Sequence, residues 1–285
     1  MRVIALGFFD GVHKGHKALL QVCKTIAAER NLTPTVLTFS SPPISKQAHL
    51  LLTTKDEKTA LFTNLGIEEL LFLPFDETLK KMHWRGFAAL LKEQYAAQHL
   101  VIGTDFRFGH KAEGDAAKLA IYCEDENIGL TVLPKVLQDG REISASRIKA
   151  LLLSGKLEEA NALLSAPYFL SGTVQEGNRR GRTIGYRTIN ILPPKGKLLP
   201  PLGVYKTTAR IGNTTFAAIT NIGTAPTFNV GEVRAETHLL APVEGDFYGE
   251  TAVISFLRFI REEKTFASGE ELAAQIKKDI TAAAE

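Results

Sequence analysis

A change of pattern about halfway along the chain constrains its fold more than any other feature. Up to residue 133, short apolar runs typical of buried strands alternate with segments of helical periodicity. From Phe169 onward the segments are short and β-rich, without helical crossovers between them. The first pattern is typical of a parallel sheet covered by helices, and the second of a small antiparallel barrel. We therefore expect two domains that meet between residues 155 and 168.

The first domain is expected to contain a doubly wound parallel sheet of five strands, because helical crossovers join its apolar runs. The predicted strands are Val3–Leu6, Thr35–Phe39, Leu70–Leu73, Leu100–Gly103 and Leu130–Leu133. Ligands of such sheets bind at the carboxyl ends of the strands, so the loops after these strands are candidate sites.

The second domain is expected to be a small antiparallel β-barrel followed by a C-terminal helix. Its predicted strands are Phe169–Val174, Gly203–Ala209, Thr214–Asn221, Ala235–Leu240 and Thr251–Leu257. Gly212-Asn213 is a two-residue hairpin signal. Ser268-Gly269-Glu270-Glu271 has the pattern of a capping box, and an amphipathic helix follows it.

Composition and charge favour a small-molecule function. Hydrophobic residues make up 45% of the 285 and charged residues 23%, which is ordinary for a globular protein. The net charge is only +3 and its basic residues are dispersed, which favours an anionic small molecule over nucleic acid. The sequence shows neither a signal-peptide layout nor an apolar run of membrane-spanning length. Cys23 and Cys123 both lie in helix-like stretches, and we expect them to be small core residues. We expect a cytoplasmic protein without a membrane or nucleic-acid partner, and the residues predict no particular oligomeric state.

The loop after the first predicted strand carries the clearest candidate site. Gly7, Gly11 and Gly15 allow the backbone to approach a ligand closely, and the helix that follows offers free N–H donors to phosphate. His13 and His16 lie three residues apart, on one face of a helical turn. Two imidazoles there can donate hydrogen bonds to charge that develops on phosphorus during in-line attack. The spacing excludes dinucleotide-binding and Walker-type loops, and a zinc site would need further ligands nearby.

Gly-Phe-Phe-Asp-Gly-Val-His-Lys-Gly-His, at residues 7–16, resembles the His-x-Gly-His signature of nucleotidylyltransferases in the form found in bacterial riboflavin kinase/FAD synthetases. The resemblance implies a Rossmann-like domain, residues 1–160, that transfers AMP from Mg²⁺-bound ATP to FMN, giving FAD and pyrophosphate. It implies catalytic roles for His13 and His16. It also implies an ATP and phosphate site that includes Gly7, Phe8, Asp10 and Gly15.

Two later stretches resemble further parts of the same family. The stretch at residues 103–112 resembles a Gly-x-Asp/Asn-Phe-x-Phe-Gly loop, which implies flavin or nucleotide contacts by Asp105, Phe106, Arg107 and Phe108. At a predicted helix start, Ser144, Ser146 and Lys149 resemble a Ser-Ser-Thr/Ser-x-Ile-Arg motif that holds ATP phosphates. Ala145 and Lys149 replace its usual Ser and Arg, so the charge remains but the bidentate fork is lost. We expect weaker positioning of the nucleotide.

Residues 168–285 resemble riboflavin kinases, which implies phosphorylation of riboflavin by ATP. The resemblance places Gly177, Gly181 and Gly185 in a flap over ATP, Thr188 and Asn190 on Mg²⁺, and Glu236 as general base on the 5′-hydroxyl. Without the resemblance, the sequence favours a solvent-facing strand residue at Glu236.

The kinase-like segment departs from its family at two positions. Riboflavin kinases usually read Gly-Phe-Pro-Thr-Ala-Asn where this chain has Arg187 and Ile189 in place of Pro and Ala. Loss of the proline frees the backbone, and isoleucine is bulkier than alanine. The second domain is therefore either an active kinase or a flavin-binding appendage.

Two other functions remain open. One is a non-catalytic regulator that binds flavin nucleotides, although binding alone does not require both histidines. The other is a nucleotidylyltransferase for a different phosphate acceptor, although the kinase-like second half argues against it. In either case the small-molecule ligands include ATP and a flavin or another phosphate compound.

Overall fold

The computed structural model describes residues 1–40, 50–176, 187–224, 233–241, 246–266 and 268–284. The chain divides into two compact units, Met1–Ala145 and Ser146–Glu285. Throughout these described ranges, no helix has both the length and the apolar character needed to cross a membrane.

The first unit is built on a five-stranded sheet of order β3-β2-β1-β4-β5. All its neighbouring strands pair in parallel, so the predicted doubly wound sheet is confirmed. The strands are β1 (Arg2–Leu6), β2 (Thr33–Phe39), β3 (Glu69–Leu73), β4 (Ala97–Gly103) and β5 (Gly129–Leu133). β1 is central and its side chains from Val3 to Leu6 are buried, as expected for a strand covered on both faces.

Helices cover both faces of this sheet. They are α1 (Lys14–Arg30), α2 (Lys55–Asn64), α3 (Glu77–Lys81), α4 (Trp84–Glu93) and α5 (Ala116–Asp125), with a 3₁₀ turn at His110–Ala112. Cys23 in α1 and Cys123 in α5 are buried free thiols, as predicted. Burial raises the pKa of each thiol to about 11, so both are core residues with little thiolate character.

A short hairpin, β6 (Leu137–Gln138) and β7 (Arg141–Glu142), was not predicted from the sequence. Its turn places Asp139 and Gly140 at positive φ, the geometry that Asx-Gly dipeptides favour. Two further helices, α6 (Ala145–Leu153) and α7 (Leu157–Leu163), precede the barrel, and α7 packs against its last strand.

The second unit contains a closed antiparallel barrel of order β10-β11-β12-β9-β8-β13. Its strands are β8 (Phe169–Gln175), β9 (Arg187–Ile191), β10 (Gly203–Ile211), β11 (Thr214–Thr224), β12 (Val233–Leu239) and β13 (Thr251–Arg261). The barrel, the Gly212-Asn213 hairpin and the C-terminal helix α8 (Gly269–Ala284) are confirmed. β9 was not predicted as a strand. Helix α8 packs on β10, β11 and β13, and the buried carboxylate of Asp279 pairs there with Arg261.

Candidate active sites

The turn between β1 and α1, residues 7–16 and hereafter the histidine turn, brings the predicted catalytic histidines together. His13 is the N-cap residue of α1, and its Nδ1 accepts a hydrogen bond from the backbone N–H of His16 at 3.3 Å. The two imidazoles stack with ring centroids 3.6 Å apart and an interplanar angle of 15°. A side chain at Gly15 would approach the His13 ring to 3.1 Å, so glycine makes room for this stack.

Both imidazoles are held in the neutral state. Burial lowers the pKa of His13 to about 4, although the carboxylates of Asp105 and Asp10 oppose the shift. Burial also lowers the pKa of His16 well below its ordinary value, and the neighbouring His13 and Lys58 lower it further. Because the Nδ1 of His13 accepts a hydrogen bond, its neutral ring carries the proton on Nε2. That N–H remains a donor that can face an anionic group.

Contacts from outside the motif hold the histidine turn. The carboxylate Oδ1 of Asp10 accepts the backbone N–H groups of Leu52 at 2.8 Å and Thr53 at 3.1 Å. The N–H of Gly11 donates to the hydroxyl of Thr53 at 3.0 Å. Lys58, on α2, donates to the carbonyl of Phe8 at 2.7 Å. Asp10, predicted to lie in the phosphate site, therefore has backbone partners that fix the turn, and its contact with phosphate stays a prediction.

The predicted loop after β4 reaches the same edge of the sheet. Phe108 is buried and packs against Phe87 of α4, with ring centroids 5.2 Å apart, so this side chain anchors the loop. Phe106 stacks on Phe108 at 5.6 Å. The exposed Arg107 pairs with Asp115 at 3.0 Å, and the exposed Asp105 lies 3.7 Å from Lys135.

Apolar side chains pack closely at this edge, beside the histidine turn, and leave no space for a water molecule between them. They come from the ends of β1, β2 and β3, from α4 and from the loop after β4, and the residues there include Leu6, Gly7, Thr38, Phe39, Phe87 and Phe106. The structure thus brings the predicted Gly7 and Phe106 together at one apolar edge of the sheet. The third predicted group divides between the units, because Ser144 belongs to the first unit and Ser146 and Lys149 belong to the second.

In the barrel, strand register brings together residues that are distant in the sequence. Asn190 of β9 and Asn221 of β11 are the two cross-strand neighbours of Glu236 on β12. Thr188 lies opposite His238 in the same pairing. The residues between them, Ile189 and Thr237, are buried inside the barrel, so the polar row lies on its outer face.

Comparisons with known proteins follow this division of the chain. Residues 1–147 match a family model described as FAD synthetase, and residues 164–285 match one described as riboflavin kinase. The bifunctional riboflavin kinase/FMN adenylyltransferase of Listeria monocytogenes is 35% identical over 284 residues, which is 98% of this chain and 90% of that protein. The chain belongs to the bifunctional riboflavin kinase/FMN adenylyltransferase family. Its Escherichia coli K12 relative is 34% identical over 283 residues, which is 97% of this chain and 90% of that protein.

A solved structure supports the folds of the two units of this family member. It is a crystal structure of a Streptococcus pneumoniae chain described as a macrolide-efflux protein, with 30% sequence identity and a TM-score of 0.87. The match covers 100% of this chain and 94% of that one.

The departures of this chain from its family do not interrupt β9. The backbone of Arg187 pairs with Leu239, and the pairing with β12 continues in register to Ile191. Ile189 fits inside the barrel and is 3% exposed. The predicted flap residues Gly177, Gly181 and Gly185 lie outside the described residues.

The outer row of the barrel suits Mg²⁺, which this family's kinase chemistry implies. The hydroxyl of Thr188 and the amide of Asn190 supply oxygen donors, the kind that Mg²⁺ prefers, and the carboxylate of Glu236, the predicted base, lies across from Asn190. The side chains of all three are half-buried and therefore accessible to a ligand. The donor set thus fits this ion.

Lys58, Leu52 and Thr53 are the site residues that sequence reasoning missed. Lys58 is 3% exposed, and it precedes the buried Leu61 and Phe62 by three and four residues. A lysine on the apolar face of a predicted helix was the available signal. Leu52 and Thr53 act through backbone groups or a hydroxyl, and no local pattern reveals such contacts.

Proposed function

We propose that the first unit makes FAD from FMN and ATP. An oxygen of the FMN phosphate attacks the α-phosphorus of ATP, the bond from this phosphorus to the oxygen bridging to the β-phosphorus breaks, and pyrophosphate leaves. The observation that carries the proposal is the stacked pair of neutral imidazoles at the start of α1. Hydrogen bonds from His13 and His16 to the α-phosphate become stronger as negative charge grows in the transition state.

The surrounding turn provides the backbone part of the same site. The start of α1 offers N–H donors and a partial positive charge to the triphosphate. A side chain at Gly7 would meet the ring of Phe9 at 2.9 Å, so glycine keeps the strand exit compact. We propose that Ser144 contacts an outer phosphate of ATP, and the phosphate contacts of Ser146 and Lys149 stay predictions from the sequence.

The apolar edge of the sheet offers aromatic side chains to a flat ring. Phe39, Phe87 and Phe106 lie there beside Gly7 of the histidine turn. Aromatic side chains pack well against planar rings, and the isoalloxazine and adenine rings are both planar. We propose that one of these rings lies against this edge, next to Asp105 and Arg107.

The second unit is proposed to phosphorylate riboflavin. Glu236 accepts the proton of the 5′-hydroxyl while that oxygen attacks the γ-phosphorus of ATP and ADP leaves. Thr188 and Asn190 would hold Mg²⁺, which offsets the negative charge of the phosphates. One observation favours an active kinase over a binding appendage. Asn190 pairs in register beside Glu236, although Arg187 and Ile189 replace the usual residues.

One assay tests both activities. The purified chain is incubated with Mg²⁺ and ATP and with either FMN or riboflavin, and the products are separated by chromatography. FAD from FMN is expected, and its absence together with tight flavin binding would support a regulator. FAD formation far slower than transfer to another phosphate compound would support a different acceptor. FMN from riboflavin is the expected product of the barrel, and its absence would make the barrel an appendage.

The cytoplasmic location stays a prediction, supported by the two buried free cysteines.

A further inference from the structure

The histidine turn has a backbone that its own sequence does not favour. Phe9 and Val12 have φ values of +53° and +42°, in the left-handed region that residues other than glycine rarely adopt. Such conformations are unfavourable and persist where the surroundings enforce them. The buried Phe9 ring makes an edge-to-face contact with the ring of His16, with centroids 5.0 Å apart. The placement of His16 therefore depends on what holds the backbone around Phe9.

Leu52, Thr53 and Lys58 hold the turn at three of its residues. The ammonium of Lys58 donates to the Phe8 carbonyl, the backbone N–H groups of Leu52 and Thr53 donate to Asp10, and the hydroxyl of Thr53 accepts from the N–H of Gly11. We call Leu52, Thr53 and Lys58 the α2 anchor. They are distant from the turn in the sequence, so their contacts bring external support to the strained backbone.

Lys58 is the charged member of the α2 anchor. Its ammonium also lies 4.0 Å from the centre of the Phe8 ring, so it contacts both the carbonyl and the side chain of one residue. The hydroxyl of Thr38 is a second donor to the same carbonyl at 3.1 Å, so a hydrogen bond to Phe8 alone does not require a lysine. The positive charge of Lys58 also lowers the pKa of His16.

We propose that Lys58 is a positioning residue for adenylyl transfer, which holds the Phe8–Phe9 backbone so that His16 meets the α-phosphate. The inference rests on the proposed function of the first unit. A displacement of about 1 Å at a reacting group can lower a rate about 100-fold. Lys58 acts through the turn, so its effect belongs to the transition state and not to the binding of ATP.

The test replaces Lys58 by methionine and measures FAD formation from FMN. For Lys58→Met we expect kcat to fall about 100-fold. The KM values for ATP and FMN should stay within about threefold, because the lost interaction acts only in the transition state. Lys55→Met is the matched control, since Lys55 is on the same helix and also lies over a phenylalanine ring, that of Phe72 at 4.7 Å. This control should keep the wild-type kcat.

A second measurement separates positioning from a purely structural role. The groups that act on the pKa of His16 are His13, from the start of α1, and Lys58, from α2, while Asp10 and Asp105 act on His13. Removal of the Lys58 charge should raise the pKa of His16 in an NMR titration of the imidazole. The limb of the pH profile of kcat/KM that His16 governs should move to higher pH in the same variant.

Each outcome decides the proposal. A wild-type kcat in Lys58→Met, a KM rise for ATP with unchanged kcat, or an unmoved His16 pKa would overturn it. If circular dichroism shows Lys58→Met unfolded, Lys58→Gln replaces it, because the amide is still a donor but carries no charge. It should show at least about a tenfold loss of kcat and the same pKa shift. Absence of FAD from the wild type would instead refute the proposed function.

Discussion

In the first unit the groups proposed for catalysis come from one turn, residues 7–16, whereas in the barrel they come from two strands, β9 and β12. The turn places its histidines three residues apart, but it has a strained backbone that a separate segment must hold. In the barrel, regular hydrogen-bonded register brings Asn190 and Glu236 together. A contiguous motif can thus be recognised from sequence yet depend on distant support, while a site built by register tolerates changes inside its strands.

The largest effect is expected at the contiguous site. His16→Ala should lower FAD formation from FMN about 10³-fold, because it removes a donor to the transition state. Phosphorylation of riboflavin by the same variant should be unchanged. His83→Ala is the control, since His83 also caps a helix and accepts a hydrogen bond from Arg85, but at the start of α4. Wild-type FAD turnover in His16→Ala would remove the role proposed for this imidazole.

The reciprocal change in the barrel should give the opposite pattern. Glu236→Gln removes the proposed base and should lower FMN formation from riboflavin about 100-fold, with FAD formation from FMN intact. Chromatography of both products from one preparation measures the two rates together. Equal loss of both activities would contradict the assignment of one reaction to each unit.

The two sites also differ in how far the sequence could predict them. The five parallel strands, the barrel and the position of both histidines follow from apolar periodicity and from a local motif. β9 was missed because the alternation from Thr188 to Ile191 is too short to stand alone as a strand signal. The roles of Lys58 and Asp10 depend on contacts across about 40 to 50 residues of chain, and local patterns do not encode such contacts.

The titration of His13 sharpens the description of the first site. His13 has a pKa of about 4, below the ordinary value of 6.5, so it stays neutral as the pH falls through 6.5. The FMN phosphate takes up a proton at about pH 6, so the histidines are followed in the protein without substrates. We expect the imidazole NMR signals of His13 to stay those of the neutral ring from pH 8 down to about pH 5.5. A titration midpoint near pH 6.5 would show that His13 titrates as an exposed group.

The smallest change in rate is expected where the barrel departs from its family. Ile189→Ala restores the usual residue, but Ile189 is buried and β9 is already in register. The variant should keep the rate of FMN formation within about threefold, while the free energy of unfolding falls by about 2–4 kcal/mol because a cavity forms. Ile191→Ala is the matched control, since Ile191 is also buried inside the barrel and should show the same loss of stability. A rise of about tenfold in the rate for Ile189→Ala alone would mean that the isoleucine distorts β9, and the tolerance ascribed to strand register would then be wrong.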